Sequence, residues 1–220
     1  MLTGEPRRAH SSRVPGNYED ALHESFGTML REAGAYFMKE GRLLDTLRRL
    51  AERLTAEGID YAVVGALALG EHGYVRMTED VDVLLTPGGL ESFRERIVGR
   101  GYVATHPGAT RSFRDPETGV RIEILVTGEY PGDGKPKPVS FPDPTVAARE
   151  VDGIRVLTLA RVLELKLASG LSAPHRLRDL ADVQEVIKTK GLDATFAAQL
   201  DPSVRAVYLD LERAVRTAGE

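Results

Sequence analysis

Two aspartates, Asp80 and Asp82, stand two residues apart in a run that is otherwise apolar: Val81, Val83, Leu84 and Leu85. On a strand, alternation puts both side chains on one face, about 7 Å apart. Carboxylates held that close repel each other unless a cation lies between them. Hard oxygen donors of this kind suit magnesium, which keeps sites open for water and phosphate oxygens, and such a pair can bridge two ions at one phosphoryl centre. A bare Asp-x-Asp is more often a solvated strand face or loop. The apolar flanks argue against that reading here, because carboxylates at the mouth of a buried strand need partners.

Glu123 is the third acid, in Arg121-Ile122-Glu123-Ile124-Leu125. Ile122 and Ile124 point to the opposite face, and a carboxylate in such a strand calls for a cation, either a metal or an ordinary ion-pair partner such as Arg121. Gly65 lies where an apolar strand gives way to a helix. There glycine allows close approach of phosphate, and the free N–H groups after it can donate; a simple tight turn explains the same residue. Several weaker candidates remain. Arg76 can pair with Glu79 or Glu71 at the surface. Lys166 lies on a helix where lysines commonly snorkel. Asp179 and Asp182 share a helical face, with Arg178 as a local partner for Asp182. His72, His106 and His175 show no ligand spacing and are expected to be structural. Lys135 and Lys137 are expected to solubilise their loop.

The elements that would position these groups can be read from periodicity. Residues 1–16 are polar and rich in Pro and Gly, a flexible tail. Residues 17–40 form an N-terminal helical segment carrying Leu22, Phe26, Met29, Leu30 and Ala33 on one face. Leu43, Leu44, Leu47, Leu50 and Leu54 predict a second helix ending before Gly58. Strands are expected at Tyr61–Val64, Val81–Leu85 and Tyr102–Ala104, with short helices over 66–71 and 91–100. Two extended segments, 110–114 and 120–126, flank Asp115-Pro116-Glu117-Thr118-Gly119 as a hairpin. Residues 128–144 are a Gly/Pro loop, either beside a site or a linker. Three helices follow, at 159–169, 177–188 and 202–217. The expected fold is α/β: a mixed β-sheet with flanking helices over 41–127, then a helical C-terminal region over 145–220.

Composition bounds the function. The 220 residues are 42% hydrophobic, enough for a real core, and contain no cysteine, which removes disulfide and thiolate-metal chemistry. With 29 basic and 33 acidic side chains, the net charge is −4, so a basic footprint for nucleic acid is absent at whole-chain level and could exist only as a local patch. No apolar run approaches a membrane span, and the N-terminus carries no secretory pattern, so the expected location is cytoplasmic, with no membrane partner.

With these residues in view, the chain resembles the nucleotidyltransferase superfamily. An apolar strand, a small-residue turn, a short helix, a Thr-x-Asp-apolar-Asp strand and a later carboxylate match at Gly65, Thr78, Asp80, Asp82 and Glu123. Gly73, Arg76, Thr78 and Asp80 are similar to the Gly-x-x-Arg-x-Thr-x-Asp of the AbiEii-type branch, which includes toxins of toxin–antitoxin systems. Lys166 and the Asp179/Asp182 helix look similar to that branch's helical half, and the likeness spans roughly 58–190. The resemblance implies Asp80, Asp82 and Glu123 as catalytic ligands of two Mg2+ ions, with Mn2+ as a substitute. It implies Gly65, Ala66, Arg76, Thr78 and Lys166 as phosphate contacts, with Asp179 and Asp182 in support. It further implies an NTP substrate, an acceptor hydroxyl on RNA (such as tRNA), protein or a small molecule, and a protein antitoxin as partner. Two positions depart from the pattern: Ala66 replaces the usual Gly or Ser, and Glu123 the commoner Asp. The rival reading is a non-catalytic nucleotide- or partner-binding module on the same fold, which Ala66 favours and the three retained acids oppose.

Overall fold

The computed structural model describes residues 41–218. The expected tail at 1–16 and the helical segment at 17–40 lie outside the described residues. Helix α1 (Arg42–Ala56) buries Leu43, Leu44, Leu47, Leu50 and Leu54, spaced three and four apart, and leaves its arginines outward. Strand β1 (Tyr61–Val63) is fully buried, and Gly65 opens α2 (Gly65–Glu71). Strand β2 (Asp80–Leu85) leads into α3 (Pro87–Arg96). That helix starts earlier than periodicity predicts, because the Thr86 hydroxyl accepts from the Gly89 N–H at 3.0 Å and Pro87 takes the first turn.

β3 (Val103–Ala104), β4 (Ser112–Arg114) and β5 (Arg121–Val126) follow, with β4 and β5 antiparallel around the expected turn. A single turn, α4 (Pro144–Ala147), precedes β6 (Ala148–Val151) and β7 (Ile154–Leu157). The rest is helical: α5 (Leu159–Ser172), α6 (Leu177–Lys190) and α7 (Pro202–Ala218). The seven strands form one mixed sheet in the order β3-β4-β5-β2-β1-β7-β6. β1 runs antiparallel to β2 and parallel to β7, and β2 runs parallel to β5.

The helical region therefore begins at Leu159 rather than at 145. Residues 148–157 form a hairpin whose β7 docks beside β1. Asp152 and Gly153 both take positive φ, 50° and 78°, the conformation a two-residue hairpin turn requires. The hairpin extends the sheet and carries the chain to the start of α5 beside β1. Among the described residues, no helix is long and apolar enough to cross a membrane.

His72, just past α2, is 5% exposed, and its Nε2 lies 2.9 Å from the Leu157 carbonyl at the end of β7. Burial lowers its pKa from 6.5 to about 4. The unfolded chain therefore takes up a proton that the folded chain refuses between these values. The His72 contribution to stability is level above about pH 6.5 and falls by up to roughly 3 kcal/mol as the pH drops towards 4. The difference in urea-denaturation stability between the parent and His72→Gln across that range should show this slope, because a carboxyl with a raised pKa, Asp82, slopes the parent's own curve the opposite way.

Candidate active site

The pairing of β2 with β5 builds the site. Asp80 lies opposite Arg121 and Asp82 opposite Glu123 in a parallel register. Registered residues of adjacent strands share a face, so all four side chains leave the sheet on the same side. On the other side, Val81, Val83, Ile122 and Ile124 are buried. The sequence places three acids on strands; the register makes them neighbours.

The three carboxylates have different surroundings. The Thr78 hydroxyl donates to Asp80 Oδ1 at 2.6 Å, and Arg121 Nη2 donates to Oδ2 at 2.9 Å. Burial alone would raise the Asp80 pKa, but these two hydrogen bonds outweigh it and hold it below the ordinary value. Glu123 Oε1 accepts from Ser112 Oγ at 2.7 Å and lies 3.3 Å from Arg121 Nε. Among the described residues, no donor reaches Asp82; those nearby serve its neighbours. Burial first, then the charge of Asp80, push the Asp82 carboxyl up to about 7, with Glu123 adding to the rise and Lys166 and Arg76 opposing it.

Gly65 has φ +64°, and a Cβ there would overlap Asp82 Oδ2 and lie 2.9 Å from its carboxyl carbon. The glycine is thus required both by its backbone conformation and by the space that Asp82 fills. A cleft of about 670 Å³ opens over these groups, lined by Gly65, Asp82 and Glu123 from the sheet side and by Lys166, Ser169 and Asp179 from the helices. The Gly/Pro loop is a wall of this cleft, through Tyr130, Pro131 and Phe141, and not a linker. Lys137, within it, hydrogen-bonds the Pro131 carbonyl and Asp133.

The weaker candidates converge into one network. Lys166 is 7% exposed and bonds Asp179 at 2.8 Å and Asp182 at 2.6 Å. Arg76 reaches Asp182 at 3.1 Å, and Ser169 donates to Asp179 at 2.6 Å. Three simpler expectations are corrected. Lys166 does not snorkel, because α6 covers it. Asp182 pairs across to Lys166 and Arg76 rather than with Arg178. Arg76 meets α6, while Glu71 pairs with Arg149. These pairs neutralise one another, so the network ties the β1–β2 connection to α5 and α6 more than it presents free cations. Lys166 and Arg76 still line the cleft, whereas Thr78 acts on Asp80, and Ala66, 5% exposed, is buried and does not line the cleft.

A divalent ion fits the donor chemistry here: three carboxylate groups share a face, and one of them has no hydrogen-bond donor among the described residues. As the side chains stand, however, no three acidic or histidine groups among the described residues enclose an ion, and Arg121 bridges Asp80 and Glu123. The sequence reading missed Ser112, Ser169 and the cleft arginines Arg111 and Arg176. Of Arg121 it saw a partner for Glu123 but not the bridge to Asp80, although alternation from Glu123 already puts it on the acidic face.

No protein-family model matches the chain, and no curated protein matches it in sequence. Among solved structures, it is similar to ANT(2'')-Ia in complex with adenylyl-2''-tobramycin, at 9% identity over 80% of this chain and 97% of that chain, with TM-score 0.47. It is also similar to an antigenic nucleotidyltransferase-like protein from Paracoccidioides brasiliensis, at 16% identity over 65% and 74% of the two chains, with TM-score 0.42. A third is JHP933 from Helicobacter pylori, at 15% identity over 79% and 90%, with TM-score 0.42.

Proposed function

We propose that this chain is a nucleotidyltransferase that moves a nucleotide from an NTP to an acceptor hydroxyl with the help of divalent metal. The observation that carries this reading is the register of β2 against β5, which gathers Asp80, Asp82 and Glu123 on one face of the sheet, with Asp82 and Glu123 lining the cleft. The three would hold two Mg2+ ions, with Mn2+ as a substitute. When bound, the ions supply charge neutralisation on the triphosphate and a more acidic acceptor hydroxyl.

The protein's own groups do the positioning. Thr78 fixes the rotamer of Asp80, and Ser112 that of Glu123. Glu123 is the group placed to take the hydroxyl proton as that oxygen attacks the α-phosphorus and the bond to pyrophosphate breaks. Gly65 leaves the space that the Asp82 carboxylate fills and lines the cleft beside it. Lys166 and Arg76 line the cleft with their charge balanced by Asp179 and Asp182, so they hold fixed hydrogen-bond donors at its edge rather than a net positive charge. The burial of Ala66 away from the cleft leaves its side chain out of phosphate binding, so that contact falls to the backbone.

The acceptor is RNA (such as tRNA), a protein or a small molecule, and the proposed setting is the cytoplasm. A toxin role with a protein antitoxin rests on the resemblance around Gly73, Arg76, Thr78 and Asp80. The test is incubation with each α-labelled NTP, Mg2+ and total RNA, protein extract or small-molecule fractions in turn. Label transfer that disappears with Asp80→Ala supports the reading and identifies the acceptor class. The Arg121 bridge favours the rival, a module that binds without catalysis. A partner-binding module would show no thermal response to Mg2+ and NTP together and a nucleotide-binding one would be stabilised without transferring label, whereas a loaded enzyme is stabilised by mass action and transfers it.

A further inference from the structure

Among the described residues, Arg121 is the one cleft residue whose guanidinium spans two of the three acids, at 2.9 Å from Asp80 and 3.3 Å from Glu123. Its side chain is 53% exposed, it stands at the first position of β5, and it lines the cleft. A pair so exposed adds little to the stability of the fold. Its geometry matters more, since it presents a positive charge where a divalent ion would need the same oxygens. We propose that Arg121 is a built-in counter-cation: it occupies the acids while the site lacks metal, and a divalent ion loads only by displacing it. Arg121 thereby sets the metal concentration at which the site fills. This rests on the metal reading above, and its failure separates cleanly from failure of that reading.

The exchange is simple in charge and space. One guanidinium shared between two carboxylates gives way to an ion of twice its charge, and the long, exposed side chain swings into the cleft without disturbing buried groups. Removing it should raise metal affinity even with no substrate present.

The probe is Mn2+ alone, titrated by calorimetry or by loss of its free electron-paramagnetic signal, against the parent, Arg121→Gln, Arg111→Gln and Asp82→Asn. Arg111 lines the same cleft but pairs with Glu129, so it controls for the loss of one positive charge. Arg121→Gln should bind Mn2+ about fivefold or more tightly than the parent. Arg111→Gln should change affinity less, and Asp82→Asn should lose the site. Mn2+ binding that needs Asp82 but is unchanged or weakened in Arg121→Gln overturns the proposal and leaves the metal reading standing. Equal tightening in Arg111→Gln also overturns it, since bulk charge then explains the effect. Absence of Mn2+ binding in the parent and in Arg121→Gln removes the metal reading and this proposal together.

Discussion

Asp82→Asn is expected to lower nucleotidyl transfer by about 10³-fold or more while leaving the free protein at least as stable as the parent. The two halves of this expectation have one cause. Asp82 sits between Asp80 and Glu123, half-buried, with no donor among the described residues, and its charged form is disfavoured by burial and by both neighbours. In the absence of metal that charge works against folding. An amide of the same shape removes the repulsion, and a gain of about 1 kcal/mol corresponds to a rise in Tm of about 2–4 °C in a chain of this size. A carboxylate kept only for structure would show the opposite pattern, lost stability with retained turnover. Steady-state assays with the identified NTP, paired with thermal unfolding in EDTA, separate the two.

Gly65→Ala is the second large effect. Gly65 and Gly58 have almost the same backbone angle, φ +64° and +67°, so alanine strains both by about 1–2 kcal/mol. Around Gly58 nothing lies within 4 Å of a new Cβ, but at Gly65 the Asp82 carboxylate is in the way. Gly58→Ala should therefore lose only that strain and keep full activity. Gly65→Ala should lose roughly 3–4 kcal/mol in urea denaturation and nearly all transfer activity, because Asp82 must turn out of line. The difference between the two variants isolates the contact between the glycine turn and the acid.

Much of this site was legible in the sequence. The Asp80–Asp82 pair and the facing of Glu123 follow from period-two alternation, which survives folding because Val81, Val83, Ile122 and Ile124 must enter the core. What alternation does not provide is register. Nothing in either strand says that Asp82 lies opposite Glu123 rather than two residues away; pairing across the sheet decides it. The hairpin at 148–157 was legible in principle, since Asp152-Gly153 between apolar residues is a strong turn signal, but its strands are short and run directly into the helical pattern of α5. The Lys166–Asp179–Asp182–Arg76 network was visible only as separate local pairs. Its closure depends on α6 folding back over α5, a long-range packing event that no spacing within either helix encodes. Ser112 carried no signal, because one serine near a turn is indistinguishable from any other.

The most direct test of the central claim, that the shared face of β2 and β5 is a divalent-cation site, is a crystal structure of the protein soaked with Mn2+ and recorded at the manganese absorption edge. The account predicts anomalous density within coordination distance of Asp80, Asp82 and Glu123, with the Arg121 side chain withdrawn from the acids. A structure at saturating Mn2+ with no anomalous density there, and with Arg121 still bridging Asp80 and Glu123, would contradict it.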